Sequence, residues 1–177
     1  MNPRPIPDRK IGKARDPAAP WGPPPPFRAL SAEARAALAR LYERMNAALA
    51  PVAAACRACG ECCRFKSGGI VLFASAIELA YLAAENEQGL AASLGDRVRV
   101  AGDRLWRCPF QQGDLCGACG ARTLGCRTYF CDPAARSEGE RLYAETFAQI
   151  KRIATEEGGP WWYGPAAAYL ASAGFYC

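Results

Sequence analysis

Ten cysteines and no histidine occur in this chain of 177 residues, and most of the cysteines fall into two groups. The first group reads C-x2-C-x2-C-C over residues 56–63, and the second runs from Cys108 to Cys131. Inert, buried cysteines explain one or two such positions but not two clusters. A two-residue spacing lets a tight turn direct two sulfurs at one centre, so the pattern favours metal ligation by thiolates.

The absence of histidine excludes several classes of site chemistry. A Ser-His-Asp triad, a Cys-His pair, an HExxH zinc peptidase and an imidazole pH switch all need a residue that the chain lacks. No carboxylate pair stands out as acid and base, because Asp103, Asp114 and Asp132 lie in turn-like sequence. We therefore expect thiolates to carry whatever chemistry the chain performs at a site.

Composition and hydropathy predict a cytoplasmic protein with one domain and an N-terminal tail. The first 30 residues contain no apolar stretch typical of a secretory signal, and no segment approaches the ~20 apolar residues that cross a bilayer. In a reducing cytoplasm, cysteines are metal ligands or redox thiols rather than a disulfide framework. Prolines are concentrated before residue 27, which predicts a disordered tail over 1–28 and a metal-binding domain over 29–177 with its core motif at 56–132.

The predicted tail carries most of the chain's formal net charge of +5. A basic arm can contact nucleic acid, and a proline run can dock on a protein partner. Nothing else in the chain is typical of a nucleic-acid-binding module, so a solvated tail is the expectation. The sequence predicts no nucleic acid and no membrane as partners, and it leaves any protein partner unidentified.

Apolar spacing and capping residues predict an α+β domain that is mostly α. It would have three or four helices and a short hairpin, organised around a cysteine-ligated metal centre. Ser31 is a good N-cap, and the Ser75-x-x-Glu78 and Ser137-x-x-Glu140 patterns are capping boxes. The predicted elements are helices over 31–50, 76–86, 137–157 and 166–173, a strand over 70–73 and a hairpin near 98–106. The aromatic residues near the C-terminus are expected to complete the core.

The spacing is compatible with two kinds of metal centre. Three cysteines in C-x2-C-x2-C register can occupy three corners of a [4Fe-4S] cluster, with the fourth ligand from a distant Cys-Pro pair such as Cys108-Pro109. Four thiolates can equally hold Zn²⁺. Soft thiolates suit both metals, so zinc and iron stay open. Adjacent Cys62 and Cys63 cannot easily reach one ion, so Cys63 would bridge, serve a second centre or remain a reactive thiol.

Either centre would carry a net charge near −2, which calls for positive groups or backbone N–H donors nearby. Glycines beside the cysteines can expose such N–H groups. The cations that flank the cysteines are Arg57, Arg64, Lys66, Arg107, Arg122 and Arg127.

These motifs resemble the YkgJ-type cysteine-cluster family, which is described as a zinc- or iron-chelating domain. The matching residues are Cys56, Cys59, Cys62, Cys63, Cys108, Pro109, Phe110, Cys116, Arg122, Cys126 and Arg127. Cys119 stands where the family usually has an aromatic residue or histidine, and Thr123 replaces a proline. Cys131 resembles an additional cysteine of some members. The resemblance implies metal binding and no particular reaction.

The predicted metal ligands are Cys56, Cys59, Cys62, Cys63, Cys108, Cys116, Cys126 and Cys131. Cys119 is an additional ligand or a bystander and is left out of this set, and the terminal Cys177 is expected to be free. One hypothesis is a structural zinc centre. The alternatives are an iron–sulfur redox or group-transfer component and a thiol-redox or metal-handling protein. Similar clusters occur in flagellin lysine methylases, but this chain has no G-x-G-x-x-G cofactor loop.

Overall fold

The computed structural model describes residues 21–55, 60–63, 71–86, 108, 110–166 and 169–170. Four α-helices have both ends in these ranges: α1 (Ala32–Leu49), α2 (Ala76–Glu85), α3 (Leu124–Thr128) and α4 (Pro133–Glu156). The strands are β1 (Phe73–Ser75), β2 (Gln111–Gln112), β3 (Leu115–Cys116) and β4 (Tyr163–Pro165). Single 3₁₀ turns span Ala53–Ala55, Glu61–Cys63 and Cys119–Ala121. The fold is the predicted α+β domain, mostly α.

Helices α1 and α2 begin where their capping residues predicted. The Ser31 hydroxyl accepts a hydrogen bond from the N–H of Ala34 at 3.1 Å, which satisfies one of the free donors at the start of α1. Ser75 and Glu78 form the capping box that opens α2.

Neither α1 nor α2, nor any other helix in the described ranges, is long and apolar enough to span a membrane.

Helix α4 begins earlier than the sequence analysis predicted. The capping pattern at Ser137 suggested the start, but α4 already begins at Pro133. The Asp132 carboxylate accepts a hydrogen bond from the N–H of Ala134 at 2.9 Å, and proline is favoured in the first helical turn. Asp132-Pro133 is therefore the real start signal, and Ser137 lies inside the helix.

The strand predicted at 70–73 forms at Phe73–Ser75, and its partner strand is distant in the sequence. It pairs antiparallel with β4, so that Phe73 faces Pro165 and Ser75 faces Tyr163. The second ribbon pairs β2 with β3 across Gly113, whose φ is +60°. The hairpin predicted near 98–106 lies outside the described residues. Of the predicted helix over 166–173, only positions 166, 169 and 170 are described, and all three are helical.

The core forms where α1 packs on α4 and α2. Leu38 and Ile150 are completely buried at this junction. Trp162 and Tyr169 are also buried, with ring centroids 5.6 Å apart, as expected of aromatic residues that complete a small core, whereas Trp161 is exposed.

Part of the proline-rich segment that was predicted as a tail contacts the folded core. The Trp21 ring lies edge-on to Phe73, with centroids 4.8 Å apart. The indole N–H of Trp162 donates to the carbonyl oxygen of Gly22 at 3.4 Å. The described part of this segment, from residue 21 onward, therefore packs against aromatic residues of the domain.

A buried carboxylate links three helices. Glu78 is only 1% exposed and accepts hydrogen bonds from the Tyr42 hydroxyl at 3.1 Å and the Leu124 N–H at 2.7 Å. The N–H and hydroxyl of Ser75 both donate to its other oxygen at 2.8 Å. These donors belong to α1, to the first turn of α3 and to the N-cap of α2. The Glu78 side chain therefore sets where the three helices meet.

We expect Glu78→Gln to lower the free energy of unfolding by on the order of 3 kcal/mol. The glutamine side chain has the same shape as glutamate, but an NH2 group replaces one of the two acceptor oxygens. The buried groups that donate to that oxygen then lose their acceptor and face another donor. Urea unfolding followed by circular dichroism measures the change. Glu140→Gln, at an exposed position of α4, is the matched control and should leave the midpoint nearly unchanged. Equal midpoints for both variants would contradict the role assigned to Glu78.

Candidate metal centre

Main-chain hydrogen bonds join the two cysteine groups. The N–H of Cys108 donates to the carbonyl oxygen of Cys63 at 2.8 Å. Gln111 reinforces this junction: its N–H donates to the carbonyl of Cys108 at 3.0 Å, and its side-chain amide donates to the carbonyl of Gly60 at 3.2 Å. The backbone thus brings the end of the first group directly against the start of the second.

Five of the predicted ligands come together; we call them the thiol group: Cys62, Cys63, Cys108, Cys116 and Cys126. The Cys63 side chain makes hydrogen-bonding contacts with those of Cys62 and Cys108. Cys126 interacts electrostatically with Cys63, Cys116 and Cys62. All five are partly buried and free of disulfides. Thiols from both cysteine groups therefore share one region.

The other predicted ligands have different placements. Cys56 and Cys59 lie outside the described residues. Cys131 is exposed and lies two residues before the first residue of α4. Among the described residues, no group of three or more cysteine, aspartate or glutamate side chains is arranged so that it could hold a metal ion. The donor chemistry nevertheless fits a soft ion or an iron–sulfur cluster, because the group consists of sulfur atoms.

Helix α3 positions Cys126, and the residue before the helix supports its sulfur. Thr123 is the N-cap of α3, is buried, and donates a hydrogen bond from its hydroxyl to the Cys126 sulfur at 3.2 Å. This hydroxyl lowers the pKa of Cys126, against a larger effect of burial. A proline at position 123 has no hydroxyl and could not make this contact.

Burial and contacts between the sulfurs raise the pKa of four thiols in the group, Cys62, Cys63, Cys116 and Cys126. Desolvation raises the pKa of Cys126 to about 12, and the contact with Cys108 together with burial raises that of Cys63 to about 12. The pKa of Cys62 is raised by its contact with Cys63, and that of Cys116 by desolvation. A cation that binds these sulfurs must displace their protons, so binding releases acid.

Arg122 acts electrostatically on two cysteines of the thiol group, Cys62 and Cys116. Its charge lowers the pKa of both Cys62 and Cys116, against larger effects that raise them. Its Nε is buried and has no hydrogen-bond partner in the described part of the chain. The guanidinium is therefore available to offset negative charge that develops on these sulfurs.

Arg127, the other described cation of the predicted set, interacts electrostatically with Cys126 and also has a structural role. It is 4% exposed and donates to the carbonyls of Arg122 and Gly120, both at 2.6 Å, and to the Asn46 side chain at 2.7 Å. Its guanidinium also lies 4.2 Å from the centre of the Tyr42 ring. Arg127 thus links the turn that contains Gly120 and Arg122 to Asn46 of α1. The remaining cations of the set lie outside the described residues.

Gly60 and Gln111 both lie at the junction of the two cysteine groups, and sequence reasoning missed Gln111. Gly60 has φ of +70°, and a Cβ there would lie 2.9 Å from the carbonyl oxygen of Asp114. Gln111 is 2% exposed, and its side-chain oxygen has no partner in the described ranges. A glutamine next to Cys-Pro-Phe carries no sequence signal for burial, so only the packing identifies it.

A cavity of about 560 Å³ adjoins α3. Its walls include Tyr129, Tyr143 and Tyr163, and the hydroxyls of the last two are hydrogen-bonded to each other. Arg136 and Glu140 of α4 line its charged side. Its described lining contains no cysteine, so the cavity is distinct from the thiol group.

We expect the metal-free protein to lose stability as the pH rises from about 9 towards 12. Cys126 keeps its proton up to about pH 12 in the fold but titrates near 9.0 when unfolded. Between these values the folded state binds more protons, so raising the pH favours unfolding. Urea unfolding in the presence of a chelator, at about pH 8 and about pH 10.5, measures the loss.

Cys126→Ser should make that loss smaller, because serine stays neutral over this range. Cys131→Ser, at an exposed cysteine, is the control and should keep the wild-type loss. If Cys126→Ser loses as much stability as the wild type, the Cys126 thiol does not titrate as its burial requires.

The chain was also compared with known proteins. Comparisons with protein families, with curated proteins and with solved structures find no match. The case for a function therefore depends on the chemistry of the residues that the fold brings together.

Proposed function

We propose that the chain is a metal-binding cysteine-cluster protein that holds zinc or iron with thiolates from two separated segments. The observation that supports this most strongly is the meeting of Cys62 and Cys63 with Cys108, Cys116 and Cys126. The ligands are drawn from Cys56, Cys59, Cys62, Cys63, Cys108, Cys116, Cys126 and Cys131.

The surroundings of the sulfurs support an anionic metal centre. When bound, the metal polarises and holds thiolates that would otherwise be protonated. Arg122 supplies a positive charge beside Cys62 and Cys116. The Thr123 hydroxyl donates to Cys126. Such contacts around the ligands orient them and lower the cost of burying their charge.

The simplest role of the centre is structural. A metal held by both cysteine groups would add a link to the main-chain hydrogen bond between Cys63 and Cys108, and folding and metal binding would then be coupled. The proposal includes a cytoplasmic location, because the thiols must stay reduced. The resemblance to the YkgJ-type family supports the same proposal.

An iron–sulfur group-transfer component is the second candidate. The C-x2-C-x2-C triplet favours it, and so does the cavity of about 560 Å³ beside α3, the helix that carries Cys126. A cavity of this size and aromatic lining is typical of small-molecule sites. In this alternative, the cavity would hold a substrate near the helix that carries one of the ligands.

Anaerobic purification with elemental analysis and an absorption spectrum tests the proposal. We expect bound zinc or iron in a fixed ratio to protein. A zinc centre gives a colourless protein that loses stability on chelation, whereas a [4Fe-4S] centre gives a brown protein that bleaches on reduction. Well-prepared protein without bound transition metal would contradict metal binding altogether.

Serine variants locate the ligands. We expect Cys63→Ser and Cys108→Ser to lower metal content and to lower the free energy of unfolding together, because each removes a sulfur from the junction of the two segments. Cys177→Ser is the matched control, since this cysteine is outside the predicted ligand set. Full metal content in both junction variants would remove Cys63 and Cys108 from the site.

A further inference from the structure

We propose that Cys119 is an additional metal ligand, which pairs with Cys116 to chelate a soft, thiophilic cation. This inference rests on the proposed function and adds a residue outside the predicted ligand set. Cys116 and Cys119 have the C-x2-C spacing that lets one turn present two sulfurs to one ion.

The turn between the two cysteines is already formed. The N–H of Gly117 donates to the carbonyl of Phe110 at 2.8 Å, and the N–H of Ala121 donates to that of Ala118 at 3.0 Å. The thiol of Cys119 folds back and donates to the carbonyl of Cys116 at 2.8 Å. The Cys119 side chain is therefore directed back to the backbone of Cys116.

Cys116 connects this pair to the thiol group. Its side chain contacts that of Cys119 and interacts electrostatically with Cys63 and Cys126. Arg127 holds the turn in place through the carbonyl of Gly120 at 2.6 Å. A cation bound at Cys116 thus has a second sulfur within the same rigid turn.

Exposure distinguishes Cys119 from the rest of the cluster. Its side chain is exposed, whereas Cys62, Cys63, Cys108, Cys116 and Cys126 are only partly accessible. Structural zinc sites are usually closed by four protected ligands. A solvent-facing ligand would give a cation a first point of attachment and would give a competing thiol or chelator direct access to it. The pair therefore makes the centre open to metal exchange.

Differential alkylation of the full-length protein tests this assignment. Reduced protein is loaded with Zn²⁺ or Cd²⁺, and metal-free and loaded samples are treated with iodoacetamide under native conditions. Peptide mass spectrometry then gives the alkylation rate at each cysteine, and elemental analysis of the same samples gives the bound metal. We expect metal to slow alkylation of Cys119 about tenfold or more, which corresponds to ~1.4 kcal/mol.

Variants test whether Cys116 and Cys119 bind the metal as a pair or whether bound metal shields Cys119 without contacting it. In Cys116→Ser, metal should protect Cys119 much less, because the partner sulfur is gone. Cys119→Ser should weaken metal binding about tenfold or more, since loss of a contact at a metal site commonly costs that much. Cys177→Ser, the control, should bind metal as the wild type does.

The possible outcomes distinguish this inference from the proposed function. Stoichiometric metal with unchanged alkylation of Cys119 overturns the inference and leaves the proposed function standing. Protection of Cys119 that persists in Cys116→Ser overturns the pairing. Absence of bound metal in the wild type overturns the proposed function, and the inference fails with it.

Discussion

The Glu78 carboxylate connects the packing of the fold to the geometry of the thiol group. It accepts a hydrogen bond from the N–H of Leu124, the first residue of α3, and Cys126 follows two residues later in the same helix. The same carboxylate accepts the Tyr42 hydroxyl of α1 and both donors of Ser75. A buried acceptor with four donors is costly to leave unsatisfied, so the three helices are held in one arrangement. The position of Cys126 follows from that arrangement.

Arg127 completes this link from the other end of α3. Its guanidinium lies over the Tyr42 ring, the same tyrosine that donates to Glu78. Its remaining donors hold the carbonyls of Gly120 and Arg122, so the turn after Cys119 is fixed relative to α1. Burial lowers the pKa of Arg127. Arg127, a buried cation held by neutral carbonyls, thus helps to hold the fold together, while the charge of Arg122 acts on Cys62 and Cys116.

Two kinds of contact bring the cysteines of the proposed centre together. Main-chain bonds at Cys63 and Cys108 bring the segments together, and side-chain contacts then cluster their thiols. Protonated thiols in a half-buried group can stay close without repulsion, whereas thiolates at the same places would need a cation. The proposed metal would replace the protons of these thiols. The exposed Cys119 would be the ligand through which the metal exchanges with solvent.

The capping residues and apolar spacing were enough to predict α1, α2 and the α+β class, because these signals act within a few residues. The cysteine spacing likewise indicated thiolate chemistry, and the lack of histidine excluded the alternatives that need an imidazole. Pairing of Phe73–Ser75 with Tyr163–Pro165, the burial of Gln111 and the divergent roles of Arg122 and Arg127 depend on residues distant in sequence. No local pattern encodes such contacts, since the two flanking arginines look alike in the sequence until packing places the Arg127 guanidinium among carbonyls and leaves the Arg122 charge acting on Cys62 and Cys116.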